Sequence, residues 1–513
     1  MDFSKFKDGS MVKSSPIQQK IRDKTISAKQ FADMVKSGDW INIGVVGAEA
    51  TITKKTVFER LGDGSDRLQA IEFWADDDAF CTDYGPKYDM HGKYHVQHQG
   101  FIHKTTRDAV KKGWKGLDWF HWGWAIHVNA EFARNYRKEK QKRAIDWGIA
   151  PIAKPEGNYV NGSYGVSNFM VTAKSCKKFV AEIREDYAWC EPGRNVNLHI
   201  DDVDYFVEVD CSNPEYCWPQ FDEKAIKPSI EEEKIAEHIL SIMRDGDTIQ
   251  VGVGSLPSAV VLAMSDSDLK HIGIHTEMIG EYAFTLAEKG ILDNSRKTID
   301  TGRCAWAYAT PQNTKRYFEW LHHNPFFAAY DINYTNNFLT LANIDNFLGI
   351  MSFAQMDIRG QVVSGNVGGR PIANTGGQLQ FTLGAQMSRG GRAILAATSR
   401  TPDGRSRFQS MLDKGSVVDV PSQFASYVVT EYGIVNLMAC TDAEKAKKII
   451  SIAHPDDREL LEREASNMGI KVNHWMFESC PDRRYPTTEE LKNHKYGYMD
   501  QVIVPGVISG TND

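Results

Sequence analysis

Short apolar runs bounded by glycine or polar turns recur along the chain, among them "QAIEFWA", "TIQVGVG", "HIGIH" and "AILAATS". Runs of this length and bounding read as buried strands. Between them lie stretches with apolar residues three and four apart, such as "EEEKIAEHILSIMRDG" and "EKAKKIISIAHPDDRELLEREASNMG", which predict amphipathic helices. Alternation of the two predicts an α/β fold of mostly parallel sheets with helices on both faces. In such sheets ligands bind in the loops past the carboxyl ends of strands. Two stretches fit that position, the glycine loop 252–256 and the polar triplet His275, Thr276 and Glu277 that follows "HIGI".

The pattern also repeats. "FADMVKSGDWINIGVVGAEATIT" and "ILSIMRDGDTIQVGVGSLPSAVV" each read as helix, Gly-Asp turn, alternating strand and small-residue loop. At one constant offset Gly38 matches Gly246, Asp39 matches Asp247, Ile41 matches Ile249 and Gly44 matches Gly252. Four matches in order imply two related domains. The Pro-, Asn- and Ser-rich stretch "DCSNPEYCWPQFDEKAIKPS" places the seam near residue 222, giving domains 1–222 and 223–513.

Composition removes several function classes. A net charge of −7 and a pI near 6.1 argue against a nucleic-acid or membrane-surface partner, which would need clustered basic residues. No apolar run approaches the roughly 20 residues of a membrane span. The opening "MDFSKFKDGSMVKSS" lacks the features of a secretory or transit peptide. The eight cysteines are scattered, and the Cys211–Cys217 spacing suits neither a metal nor a redox pair. A cytoplasmic, multidomain protein is expected.

The loop Gly252, Val253, Gly254, Ser255, Leu256 follows a strand and precedes a helix, with Pro257 suited to its first position. Its glycines would let backbone N–H groups approach an anionic ligand, or would serve a tight turn and nothing more. A dinucleotide site would want a third glycine that this loop lacks, and the chain offers only Glu277 as a ribose acid.

"GVGSLPSAVV", "IGIHTEMIG", "NTGGQLQFTLGAQMSRGGRAI", "VVTEYGIVNL" and "IAHPDDRELLEREA" together resemble, in order, the acetyl-CoA hydrolase/transferase family of family-I CoA-transferases, which includes 4-hydroxybutyrate, succinyl-CoA:acetate and butyryl-CoA:acetate enzymes. The resemblance continues upstream through "TRDAVKKG", "NGSYGVSNF" and "VDYFVEVD". It implies two CoA-transferase-type α/β domains with the active site between them, in a homodimer using acyl-CoA and short carboxylic acids such as acetate, propionate, butyrate or succinate, with no tightly bound cofactor and no metal. It further implies that Glu277 is the nucleophile and that the backbone N–H groups of Val253 and Gly377 are oxyanion donors. Gly252, Val253, Gly254, Ser255, Leu256, Gly376, Gly377 and Arg389 are then the CoA contacts. Two departures stand out: Gln380 replaces the family's acid in "GGQLQF", and "LMAC" at 437–440 replaces a basic segment.

A carboxylate nucleophile suits transfer of CoA between acids, because its anhydride and its thioester both stay activated. The alternative on the same scaffold is an acyl-CoA hydrolase, with water as acceptor. A ligand-sensing role is disfavoured by the presence of Glu277 together with Gly376 and Gly377, since a sensor needs no nucleophile. Trp114, Trp119, Trp122 and Trp124 read as packing residues or as walls of an acyl pocket. His91, His95, His98 and His103 near Asp76–Asp78 lack metal-site spacing. "HPDDRELLERE" from His454 predicts a capped surface helix, and Glu431 and Tyr432 receive no role.

Overall fold

The structure is a computed structural model. It describes residues 16–42, 44–45, 48–62, 72–75, 95–98, 108, 111–115, 117–119, 145–213, 227–252, 254–309, 314–373 and 375–472. The fold is α/β, as the alternating pattern predicts. A seven-stranded sheet runs in the order Tyr205–Glu208, Cys176–Arg184, Ile145–Ala153, Trp40–Asn42, Glu72–Ala75, His95–His98, Leu117–Trp119, and every pairing in it is parallel.

A nine-stranded sheet carries the second half. Its order is Pro192–Arg194, Phe327–Tyr330, Cys304–Ala309, Gly273–Ile279, Thr248–Val251, Phe347–Ser352, Arg392–Ala396, Tyr427–Thr430, Gly433–Asn436. Only the last pairing, a hairpin, is antiparallel. The central strands are buried on both faces, which explains why they read as unbroken apolar runs.

The sequence repeat is a repeat in space. Gly38 and Gly246 both have left-handed φ values, +89° and +83°, the region where a side chain would be strained. The aspartate after each closes the same turn. Asp39 Oδ2 accepts from Lys36 N at 2.8 Å, and Asp247 Oδ2 from Arg244 N at 2.8 Å. Each turn feeds a strand in the middle of its sheet, followed by the helices Thr51–Gly62 and Ser255–Ser265. The partners of the two acids differ: Asp39 takes the Trp147 indole N–H at 2.9 Å, whereas Asp247 is fully buried against Arg392.

The halves share structure across their junction. Pro192–Arg194, from the first half, forms the edge of the second sheet. Tyr164, Tyr187 and Cys190 pack in one core with Ile249, Trp306 and Tyr317. The expected seam near 222 falls in 214–226, outside the described residues. Among the described residues no helix is long and apolar enough to cross a membrane, and the five described cysteines are unbridged.

Candidate active site

Glu277 does not lie in a loop past its strand, as the sequence pattern suggests. It is the fifth residue of the strand Gly273–Ile279, which continues two residues beyond it. Nor is it a first-turn acid of the next helix; that place belongs to Glu281. A run of His-Thr-Glu can remain a strand because Thr276, Glu277 and the His275 Nε2 find buried partners, while His275 Nδ1 is left without one. Thr276 Oγ1 donates to Met278 O at 3.0 Å. His275 packs against Tyr334 and Phe347, and its Nε2 meets Thr335 O at 3.1 Å. Burial, with the nearby Lys297 cation, lowers the His275 pKa to about 3, so the ring is neutral.

Three donors meet the Glu277 carboxylate. The Asn336 Nδ2 donates to Oε2, and the Gly377 backbone N–H and the Tyr308 hydroxyl also bond it. Asn336 closes the short helix Ile332–Thr335. The Thr335 hydroxyl donates to its Oδ1 at 3.0 Å, which turns Nδ2 toward Glu277. Gly377 is the N-cap of the helix Gln378–Met387, so the carboxylate also sits at the positive end of that helix. Despite these donors, burial dominates and pushes the Glu277 pKa up to about 7.

The Gly-Gly pair is required by space. A Cβ on Gly377 would stand 2.5 Å from Glu277 Oε2 and 2.4 Å from Asn336 Nδ2. Gly376 has φ +52°, and a Cβ there would come within 3.0 Å of Glu277 Oε1. The backbone therefore approaches the carboxylate as closely as glycine alone permits.

Glu277 opens on a cavity of about 310 Å³ with apolar walls that include Val251, Ile350, Met351, Phe353 and Phe381. Among the expected CoA contacts, Gly252, Gly376 and Gly377 line it together with Glu277. Gly254, with φ +129°, caps the helix Ser255–Ser265, whose third residue is Pro257 rather than its first. Ser255 instead donates to Glu232, and Leu256 is buried in the core. Arg389 is more than half exposed beside Asp345 and is not among the cavity residues. Val253 lies outside the described residues.

A model of the acetyl-CoA hydrolase/transferase N-terminal domain matches residues 10–213, and one of the corresponding C-terminal domain matches residues 314–465. A 4-hydroxybutyrate coenzyme A transferase of Clostridium kluyveri is 32% identical over 378 residues, covering 72% of this chain and 82% of its own. The chain belongs to the acetyl-CoA hydrolase/transferase family. Within that family it is also similar to a butyryl-CoA:acetate CoA-transferase of Anaerostipes caccae, at 26% identity over 88% of this chain and 98% of that one. Its fold matches the crystal structure of RipA from Yersinia pestis with a TM-score of 0.77 and 25% identity, covering 88% of this chain and 99% of that one. Glu277 falls in the interval between the two family-domain matches.

Other sequence candidates lie apart from the Glu277 cavity. Gln380 is buried in the helix Gln378–Met387, and both its amide atoms lack a partner. Glu431 accepts from the backbone N–H and hydroxyl of Ser399, at 2.8 and 2.6 Å. Tyr432 is exposed beneath Arg458. In the 437–440 segment Leu437 is buried and Ala439 has a left-handed φ of +53°. Trp114 is buried in the core of the first sheet, and Trp119 lies on its edge strand. Trp122, Trp124, His91, His103 and Asp76–Asp78 lie outside the described residues, while His95 and His98 begin and end one strand.

A different cluster, Glu156, His322 and His323, brings three potential ligand atoms within 4.8 Å. His323 is already engaged there by Glu156 and Glu191. His322 Nδ1 accepts from Trp189 N at 3.0 Å. The sequence reading missed Asn336 and Tyr308, the two side chains that hold Glu277. No local signal marks either one.

Proposed function

We propose that this protein is an acyl-CoA:carboxylate CoA-transferase acting on short-chain acids, with Glu277 as its covalent carrier. The observation that carries this reading is a buried carboxylate near pKa 7, held by directed donors and facing an apolar cavity. Raised basicity makes the ionised oxygen a better nucleophile while it is still substantially ionised near neutral pH.

In this reading a Glu277 oxygen attacks the acyl-CoA carbonyl carbon. The C–S bond breaks, CoA leaves as thiolate, and a glutamyl–acyl anhydride remains. The thiolate then attacks the glutamyl carbonyl carbon. The anhydride C–O bond breaks, the first acid departs as carboxylate, and CoA is held as a Glu277 thioester. A second carboxylate runs the sequence backwards, so the kinetics are ping-pong. Each attack develops an oxyanion, which the N–H groups of Gly377 and Val253 would stabilise. Gly252–Leu256, Gly376, Gly377 and Arg389 remain the proposed CoA contacts. The apolar walls favour exclusion of water, which would otherwise hydrolyse both intermediates. The same reading takes the protein as a cytoplasmic homodimer.

Acyl-CoA incubated with enzyme and then borohydride should leave a reduced residue 277, found by mass spectrometry. Sustained consumption of the acyl-CoA should depend on an added acid, with CoA recovered on that acid. Steady release of free CoA without any acid would instead establish the hydrolase. A folded Glu277→Gln enzyme that transfers CoA undiminished would overturn the proposal.

A further inference from the structure

The strand that carries Glu277 offers a second side chain to the segment that steadies it. His275 and Glu277 stand two residues apart in the strand Gly273–Ile279, so both project from one face of the sheet. Beside that face runs the end of the helix Ile332–Thr335. Glu277 takes the Asn336 amide, and His275 Nε2 lies 3.1 Å from the Thr335 carbonyl oxygen. Two consecutive residues of the helix end are thus held by two alternate residues of the strand, and all four are buried.

A carbonyl oxygen only accepts, so Nε2 carries the ring proton and Nδ1 is bare. Nδ1 is buried and has no partner among the described residues. An unmatched acceptor carries a cost, which a phenylalanine of similar shape would avoid. Burial, and after it the Lys297 cation, keeps the ring neutral, with Asp300 pulling the other way. Packing fixes the ring as well: its centroid lies 5.8 Å from that of Tyr334 and 6.4 Å from that of Phe347. Tyr334 is in turn tied through its hydroxyl to Asp300 Oδ2 at 2.8 Å.

The Thr335 carbonyl belongs to the planar peptide unit whose nitrogen is that of Asn336. A donor on that oxygen satisfies a carbonyl at a helix end and fixes the plane from which the Asn336 side chain departs. The Thr335 hydroxyl then sets the amide itself, donating to Asn336 Oδ1 at 3.0 Å. Asn336 Nδ2 delivers the result to Glu277 Oε2. His275 is not among the described residues that line the cavity; its route to the carboxylate runs through Asn336.

We propose that His275 is a positioning residue for the transfer reaction, holding the Thr335 carbonyl so that the Asn336 amide meets Glu277 along one fixed direction. This rests on the reading of Glu277 as the reacting carboxylate. The competing role is packing alone, in which the ring fills space and its hydrogen bond leaves the chemistry untouched. A ring of the same size without a donor separates the two.

The test compares wild type, His275→Phe, His275→Gln, Asn336→Ala, and His275→Phe combined with Asn336→Ala. Each is followed by melting temperature and by single-turnover release of the first acid from acyl-CoA. His275→Phe should slow that release about tenfold, the scale of one lost hydrogen bond, and change KM for acyl-CoA less than about twofold. Its pH profile should move to higher pH by about half a unit, because a carboxylate with a poorer donor holds its proton more tightly. His275→Gln, whose side-chain amide can donate from the place of Nε2, should recover most of the rate and the profile. With Asn336→Ala already present, His275→Phe should change the rate less than about twofold. A lowered melting temperature with an unmoved profile, or full additivity with Asn336→Ala, would overturn the proposal and leave His275 a packing residue. His275→Gln also identifies the His275 signal in nitrogen NMR of histidine-labelled wild type. That ring should carry its proton on Nε2; a proton on Nδ1 refutes the hydrogen bond whatever the fate of His275→Phe. Undiminished transfer by Glu277→Gln would bring down the carrier reading instead, and the NMR result stands apart from it.

Discussion

The side-chain amide of Asn336 donates to Oε2 of Glu277 across 59 residues of sequence, inside a cavity wall where both groups are buried. Thr335 holds that amide in orientation. The carboxylate is thus aimed by a residue that never needs to touch substrate, and its proton affinity is a balance of burial against three donors.

Removing that donor should tip the balance further. Asn336→Ala should raise the pKa of Glu277 by about one unit, since a hydrogen bond to a charged group is worth about 1.5 kcal/mol or more. The pH profile of the first half-reaction, followed as the first acid released in a single turnover, should move to higher pH by that amount. A fall in rate with an unmoved profile would show that Asn336 only positions the carboxylate.

In wild type the same half-reaction should rise about tenfold per pH unit below pH 7 and level off above about pH 8. The ionised form attacks, and its pKa is near 7. Single-turnover rates from pH 5 to 9 check this. A profile that levels off already at pH 5 would contradict a desolvated nucleophile.

Stability should carry the opposite signature. The folded pKa of about 7 lies above the ordinary value of 4.5, so the native state holds this proton more tightly than the unfolded chain. Below pH 4.5 the group costs nothing. As pH rises through the window from 4.5 to 7, the fold loses up to about 3 kcal/mol. Glu277→Gln escapes that loss, so its melting temperature relative to wild type should climb between pH 5 and pH 8.

The glycine pair should be intolerant. Gly377→Ala keeps the N–H but drives a methyl into the carboxylate and into Asn336. Transfer should fall roughly 100-fold, the scale of a displaced oxyanion donor, with a smaller change in KM for acyl-CoA. Steady-state kinetics on the folded variant decide it.

The two copies of the Gly-Asp turn predict unequal costs. Arg392→Met strands the fully buried Asp247 without its counter-charge and should destabilise the protein by about 3–5 kcal/mol. Adding Asp247→Asn should recover part of that. Asp39→Asn, at the half-buried copy bonded to the neutral Trp147, should cost about 1 kcal/mol. Denaturant unfolding of the variants compares them.

Much of this was legible in the chain itself. Apolar runs with a period of two or none, and helical stretches with apolar residues three and four apart, depend on neighbours a few residues away. They predicted the parallel sheets, the repeated helix–turn–strand and the helix after the glycine loop, begun two residues late at Pro257. The turn at Gly246 and Asp247 was visible because glycine and aspartate act locally there. Glu277 was identifiable as an acid set between strand and motif, though placed one element too late. A carboxylate inside a strand looks improbable until its partners are known.

Those partners were decided by the tertiary structure. Tyr308 reaches Glu277 from the neighbouring parallel strand Cys304–Ala309, and Asn336 and Gly377 reach it from the ends of helices that the fold brings to the same place. The same assembly brings Arg407 to the wall of one cavity and leaves Arg389 at the surface beside Asp345. Backbone preference and periodicity are written over spans of a few residues. Desolvation, and the proton affinity it sets, belongs to whatever the folded chain packs around a group, and no short stretch of sequence contains it.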